Sequence, residues 1–325
     1  MDDMSFSHLS GNDGDMTLDL TVIVLTKNEE VHIERCIAAL KRVAARIVVV
    51  DSFSDDATVE LARKGGAEVV QHAFVNHAAQ FQWALDNCDV KTAWVMRFDA
   101  DEVFGEDLAT EILTTLPTLS CEVTGVYLRR RHYFQGDWVR HGGRYPLILL
   151  RIWRNGFGRI EQRWMDEHIV LQSGEAITLT NDFSDDNLMG VNWWCEKHIG
   201  YATREAVDVL IASYGLFGDD RAVMSGGGRQ ARSRRWFKEK FYNGLPFLLG
   251  PILYFSFRFI FQGGFLDSAG GRAYHILQGL WYRTLVDVRK RELERLLVNC
   301  PDNRSRIFVL EESTKLPIRD FYRSD

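Results

Sequence analysis

Residues 92–102 read TAWVMRFDADE. The apolar run suits a buried strand, and three carboxylates, Asp99, Asp101 and Glu102, follow it within four positions. Like charges set side by side weaken a strand, so they belong at its end, where a ligand can offset them. The same layout repeats upstream. LTVIVL (20–25) is a short apolar run that ends in TKNEE, after which Ile33, Cys36, Ile37 and Leu40 keep helical i, i+3, i+4, i+7 spacing, with Asn28 placed as the N-cap. RIVVVD (46–51) is unbroken, as expected of a strand buried on both faces. SFSDDATVELARKGG (52–66) supplies Ser and Asp caps, a helix and two terminating glycines. AEVVQH (67–72) is a third strand and 77–87 a third helix. This alternation predicts an α/β fold with a mainly parallel, doubly wound sheet.

The chain has 325 residues, 46% of them hydrophobic, enough for one large domain with an appendage. A net charge of -6 argues against a nucleic-acid binder. Cys36, Cys88, Cys121, Cys195 and Cys300 form no CxxC pair, which suits reduced thiols in a cytoplasmic protein. The first 17 residues are polar and acidic and read as a tail without a secretory signal.

In an open parallel sheet, ligands bind beyond the carboxyl ends of the strands. Thr26, Asn28 and Glu29 follow the first strand, Asp51 ends the second, and Asp99 and Asp101 follow the fourth. Neither GxGxxG nor GxxxxGK[ST] is present, so the dinucleotide and P-loop fingerprints are absent. Carboxylates cannot take phosphate directly, but hard oxygens can hold Mg²⁺ or Mn²⁺, which in turn holds a diphosphate.

Three blocks, TVIVLTKNEEVHIERCI (21–37), IVVVDSFSDDATVELA (47–62) and WVMRFDADE (94–102), occur in the order and spacing of glycosyltransferase family 2, and the chain closely resembles that family. YFQGDWVRHGGRYPLILLRIWR (133–154) and WMDEHIV (164–170) are similar to its branch that builds bacterial lipopolysaccharide cores and exopolysaccharides. The resemblance covers roughly residues 18–215 and implies a GT-A fold: a nucleotide-binding half over 18–117, an acceptor half over 118–215, and a C-terminal helical region over 216–325. It implies an inverting, metal-dependent hexose transfer from a UDP-sugar to a lipid-linked saccharide, either a polyprenyl-diphosphate or a lipid A core acceptor. Thr26, Asn28, Glu29 and Gln80 would line the nucleotide-sugar site, Asp51 would accept the uracil N3–H, Asp99 would face ribose or metal, and Asp101 would ligate the metal. The family also places its catalytic base in an acidic pair near Asp166 and Glu167. Either can serve, with Glu167 preferred for the His beside it.

Two further features are legible without the family. RRRHYF (129–134) contributes Arg129, Arg130 and Arg131, which with Arg140 and Arg144 form a cationic cluster suited to an acceptor phosphate; a solvated basic edge strand is the other reading. Residues 221–258 hold eight Lys or Arg, among them Arg232, Arg234, Arg235 and Lys238, against the single acid Glu239. Trp236 lies within this stretch, and LPFLLGPILYFSFRFIF (245–261) closes it with Phe247, Leu248, Phe255 and Phe259. A basic flank beside broken, aromatic-rich apolar helices predicts a peripheral or monotopic element on the anionic cytoplasmic face of the bacterial inner membrane. Two rival functions are a sugar-nucleotide pyrophosphorylase, which would need a glycine-rich loop after the first strand, and a non-catalytic scaffold for polysaccharide assembly.

Overall fold

The computed structural model describes residues 9–10, 17–161, 168–217 and 246–319. It divides into two compact units, the first running to Met189 and the second beginning at Gly190. The first unit holds strands β1 (Leu9–Ser10), β2 (Thr17–Thr26), β3 (Ala44–Asp51), β4 (Glu68–Gln71), β5 (Trp94–Asp99), β6 (Glu102–Val103), β7 (Val123–Phe134), β8 (Asp137–Trp138), β9 (Leu147–Arg154), β10 (Gly158–Ile160), β11 (Ile169–Leu171) and β12 (Glu175–Asp186). Its helices are α1 (Ile33–Leu40), α2 (Thr58–Lys64), α3 (His77–Asn87) and α4 (Glu106–Thr115).

The main sheet runs β4-β3-β2-β5-β9-β7-β12-β6. The strands β4, β3, β2 and β5 are parallel, as their crossover helices require. Beyond β5 the expectation of a mainly parallel sheet fails, because β9 runs antiparallel to both β5 and β7. The link between β7 and β9 carries only β8 and a loop, which suits a reversal better than a crossover. The sheet is therefore mixed.

Alternation along the strands explains the unbroken apolar runs. Val22 and Val24 of β2, Val49 of β3, and Met96 and Phe98 of β5 pack with α1, α2 and α4. Ile23, Val48, Val50 and Val95 pack on the other face with Ala78, Phe81 and Ala84 of α3. Both faces are covered, so no polar alternation was available to read.

The curvature follows from connectivity. Only Ala100 and Asp101 separate β5 from β6, a reach of about 11 Å between Asp99 and Glu102. In a flat sheet, β6 would lie four strand spacings from β5, about 19 Å. The sheet must curl to bring its last strand back to the end of β5.

In the second unit, α5 (Val191–Tyr214) packs against α8 (Tyr282–Leu297), with α9 (Asn303–Thr314) closing a core of Val207, Leu210, Leu293, Leu297 and Leu310. The expected catalytic boundary near residue 215 thus differs from the division seen, since α5 shares its core with the later helices. Here α6 (Leu249–Ser256) continues through a π turn, Phe257–Phe261, and α7 (Ala269–Tyr274) leads through His275–Trp281 into α8. Pro251 falls in the first turn of α6, where proline is tolerated. The thirteen residues 249–261 measure roughly 20 Å as a helix, short of a 30 Å hydrocarbon layer. Among the described residues no helix is long and apolar enough to cross a membrane.

Candidate active site at the strand ends

The loop after β3 is organised around Asp51, which is fully buried. Its carboxylate accepts from Thr26 Oγ1 (3.0 Å), the Ser54 amide (2.9 Å), Ser54 Oγ and Gln71 Nε2 (3.1 Å). Burial by itself would raise the carboxyl, but these hydrogen bonds outweigh it and hold Asp51 below its ordinary value. Every lone pair is engaged within the protein, so accepting a base N3–H would mean displacing one of these partners. Thr26, buried at the end of β2, donates to Asp51 and faces no solvent.

Asn28 does not cap α1. Its backbone is left-handed (φ 58°), its amide N–H donates to Ser54 Oγ (2.8 Å), and its Oδ1 accepts from the Asp55 amide (3.1 Å). Two strand-end loops are thereby tied together. The Glu29 amide donates to Thr58 Oγ1 (2.7 Å), and the Glu29 carboxylate accepts from His32 Nδ1 at 2.6 Å. His32 is fully buried, and its Nε2 accepts from the Leu188 amide (2.8 Å), which fixes the imidazole proton on Nδ1. Gln80, expected at the nucleotide or sugar, is instead fully buried: its Nε2 donates to His72 O (3.0 Å) and Ser52 Oγ (3.2 Å), and its Oε1 lies 2.7 Å from His72 Nδ1.

The DAD turn has a different character. Asp99 lies 3.3 Å from Arg151 Nη2 and 3.6 Å from Arg97 Nε. Burial would raise its carboxyl, but the charges of Arg151, Arg97 and His77 outweigh that and hold it well below the usual carboxylate range. Glu102 is buried against Arg151 in an ion pair and also accepts from the Asp99 amide (2.9 Å). Burial pushes Glu102 upward against the pull of Arg151, and the neighbouring Asp99 and Asp185 add to the rise. Asp101 is held from the far strand: Asn187 Nδ2 donates to its Oδ2 (3.0 Å), and its carbonyl accepts from the Asp186 amide (3.1 Å) and Arg35 Nη2 (3.3 Å). Asn187 Oδ1 in turn accepts from the Met189 amide (2.9 Å), which fixes the orientation of the side chain.

Arg35, Arg151 and Asn187 were not singled out by sequence. Arg151 carried a signal, a charge set inside the apolar run LILLRIW (147–153). FSDDN (183–187) repeats the acidic crowding of FDADE at a strand end.

The cationic cluster is less open than its composition suggested. β7 is an interior strand, paired with β9 and β12, and not a basic edge. Arg129 and Arg131 both pair with Asp182, at 3.3 and 2.7 Å, and Arg130 pairs with Asp185 at 3.0 Å. Arg140 lies over the Trp138 ring, 4.2 Å from its centroid, while Arg144 sits in the loop between β8 and β9 near Asp185. Asp166 and Glu167, and likewise Arg232, Arg234, Arg235, Trp236 and Lys238, lie outside the described residues.

Asp99, the last residue of β5, and Asp101 just beyond it offer hard oxygens on alternate residues, a donor set that fits Mg²⁺ or Mn²⁺. Among the described residues no group of three or more His, Cys, Asp or Glu gathers to hold a metal. A cation here would complete its shell from substrate phosphates and water, as these ions commonly do.

Removing Arg151 should expose how far the turn depends on it. Breaking a buried ion pair by deleting one partner costs about 3–5 kcal/mol, whereas replacing both with apolar residues is often near neutral. R151M should therefore fall in that range by urea denaturation, and R151M combined with E102L should recover most of the loss. A cost for R151M below about 1 kcal/mol would show that the pair does not hold the turn.

The model of the family described as Glycosyl transferase family 2 matches residues 21–188, just over half of the chain. An uncharacterized glycosyltransferase of Rickettsia bellii (strain RML369-C) is 37% identical over 97 residues, 30% of this chain and 32% of its own length. The lipopolysaccharide core biosynthesis glycosyltransferase LpsC of Rhizobium meliloti (strain 1021) is 32% identical over 149 residues, 44% of this chain and 54% of its own. The matches thus span about a third of the Rickettsia relative and about half of LpsC. Among solved structures, mannosyl-3-phosphoglycerate synthase from Rubrobacter xylanophilus is similar with a TM-score of 0.31 and 21% identity, covering 35% of this chain and 40% of that one. The three ordered blocks, the strand-end carboxylates and the family match agree, and the chain belongs to glycosyl transferase family 2.

Proposed function

We propose that this glycosyltransferase moves a hexose from a UDP-sugar, with Mg²⁺ or Mn²⁺, onto a lipid-linked saccharide of lipopolysaccharide core or exopolysaccharide synthesis. The observation that carries the reading is the fixed pose of Asp101, held through Asn187, Asp186 and Arg35 at the carboxyl ends of the parallel strands. The lipopolysaccharide acceptor is favoured by the name of LpsC, of which about half is matched.

Asp101 and Asp99 would hold the cation, whose charge, when bound, offsets that developing on the leaving diphosphate. Arg151 and Arg97 keep Asp99 ionised and aligned. Glu167, or Asp166 beside it, would take the proton of the acceptor hydroxyl. With one member of this pair acting as the base, transfer would be one in-line displacement, so an α-linked donor gives a β-linked product. An acceptor phosphate approaching Arg129, Arg130 or Arg131 would compete with Asp182 and Asp185 for them.

D101N should keep the fold and lose nearly all transfer, because a neutral amide is a poor ligand for a hard cation. Transfer by the unaltered enzyme should also stop with chelator and return with Mn²⁺. Full turnover in excess chelator would refute the metal-bridged diphosphate.

E167Q should bind donor normally and turn over about 10²–10⁴-fold more slowly, the usual contribution of a general base. If D166N gives that loss and E167Q does not, the base is Asp166.

We also propose that the second unit rests on the cytoplasmic face of the inner membrane. Phe247, Ile252, Phe257, Ile260, Phe261 and Leu266 are exposed in one stretch of chain, Phe261 at 79%, next in sequence to the basic run from Arg229 to Lys240. Burying one such side chain in lipid is worth about 1.5–3 kcal/mol, and each cation near an anionic leaflet adds about 1 kcal/mol. Charge reversal of Arg232, Arg234, Arg235 and Lys238 to Glu should weaken flotation with anionic liposomes in a salt-dependent way. F257S with F261S should weaken it independently of salt. Flotation unchanged in both variants would remove the membrane assignment.

A further inference from the structure

We propose that Phe53 is the platform on which the nucleobase of the donor stacks, an inference that rests on the nucleotide-sugar reading above. Phe53 adopts a left-handed backbone (φ 60°) and exposes 55% of its surface. A bulky aromatic at positive φ is a genuine outlier. Such strain persists only where the surroundings over-determine it, and it clusters at ligand sites.

The surroundings here do over-determine it. The Ser52 amide donates to Thr26 O (2.9 Å) on one side of Phe53, and the Ser54 amide donates to Asp51 on the other. Lys27 Nζ donates to the Phe53 carbonyl itself (2.7 Å). The reciprocal bonds of Asn28 with Ser54 and Asp55 then clamp the next turn. A loop pinned at this many points holds its one large apolar side chain with more than half of its surface in water. A glycine or asparagine would meet the same backbone demand without strain.

Location narrows the occupant. Phe53 follows β3 at the carboxyl edge of the parallel strands, beside the loop after β2 that also carries Asn28 and Glu29. Phe74 and Val75, on the loop leaving the neighbouring strand β4, are exposed at the same edge. Asp51, the residue expected to read the base edge, is buried and fully engaged with the loop. What this rim presents beside its charged side chains is therefore an exposed aromatic residue. Stacking on an aromatic tolerates any base because every base has a π-face, so Phe53 would contribute affinity for the nucleoside and leave discrimination among bases to other contacts.

The test is calorimetric titration of the full chain with UDP and, separately, with inorganic pyrophosphate, each with Mn²⁺, together with melting of the unliganded protein. F53N should melt at or above the temperature of the unaltered protein, bind UDP about tenfold more weakly, and bind pyrophosphate, which has no base, unchanged. F53W should keep UDP affinity within about threefold, and UDP should alter its tryptophan emission. Unchanged UDP affinity in F53N overturns the proposal, as does an equal loss for UDP and pyrophosphate or a loss of UDP binding in F53W. If the unaltered protein binds neither ligand, the nucleotide-sugar reading itself falls, an outcome separate from failure of Phe53 alone.

Discussion

The ion pair between Arg151 and Glu102 is the constraint on which the site depends. Arg151 belongs to β9 and Glu102 to β6, and three pairings separate those strands along the sheet. They meet because the two-residue connection after β5 forces the sheet to curl. Within that curl the pair is buried, and Asp99 joins it at the end of β5. A buried charge without a partner is expensive, so the curl, the pair and the pose of the DAD turn stand or fall together. The carboxylates that looked crowded in sequence are separated by their partners: Asp99 and Glu102 face Arg151, and Asp101 faces Asn187.

The loop after β3 is built on the opposite plan. There one carboxylate, Asp51, gathers neutral donors from three segments, Thr26, Ser54 and Gln71. Hydrogen bonds to an ionised group are roughly twice as strong as neutral ones. The result is a rigid loop with no net ion pair at its centre. The two plans meet through Glu29, His32 and Leu188, since the residue beside Leu188 is Asn187, which holds Asp101. A shift in the loop after β2 would therefore be felt at the Asp101 carboxylate through these hydrogen bonds and the peptide link from Leu188 to Asn187.

How much of this was legible in the sequence depended on range. The helix at 77–87 and the strands around 20–25, 46–51 and 92–98 were readable because local periodicity and punctuation specify them. The antiparallel turn of the sheet at β9 was not, because strand direction is set by what a segment pairs with, and VYLRRR and LILLRIW look alike either way. Candidate residues followed the same division. Asp51, Asp99 and Asp101 were found by their position after apolar runs. The partners that define their chemistry lie 52 residues away for Asp99 and Arg151 and 86 for Asp101 and Asn187. Arg129 to Arg131 looked available to phosphate because Asp182 and Asp185 are distant in sequence and adjacent in register.

Strain separates two loop residues that share the same backbone conformation. Asn28 and Phe53 both adopt left-handed backbone at neighbouring strand ends. For Asn28 this is inexpensive, since asparagine tolerates that region and its side chain is used at once by Asp55. Phe53 has no polar group to repay the conformation, and more than half of its surface stays exposed. The fold has supplied hydrogen bonds on both sides to keep an unfavourable residue in an exposed place. That asymmetry is what stability alone does not explain, and it is what the proposed stacking role of Phe53 would account for.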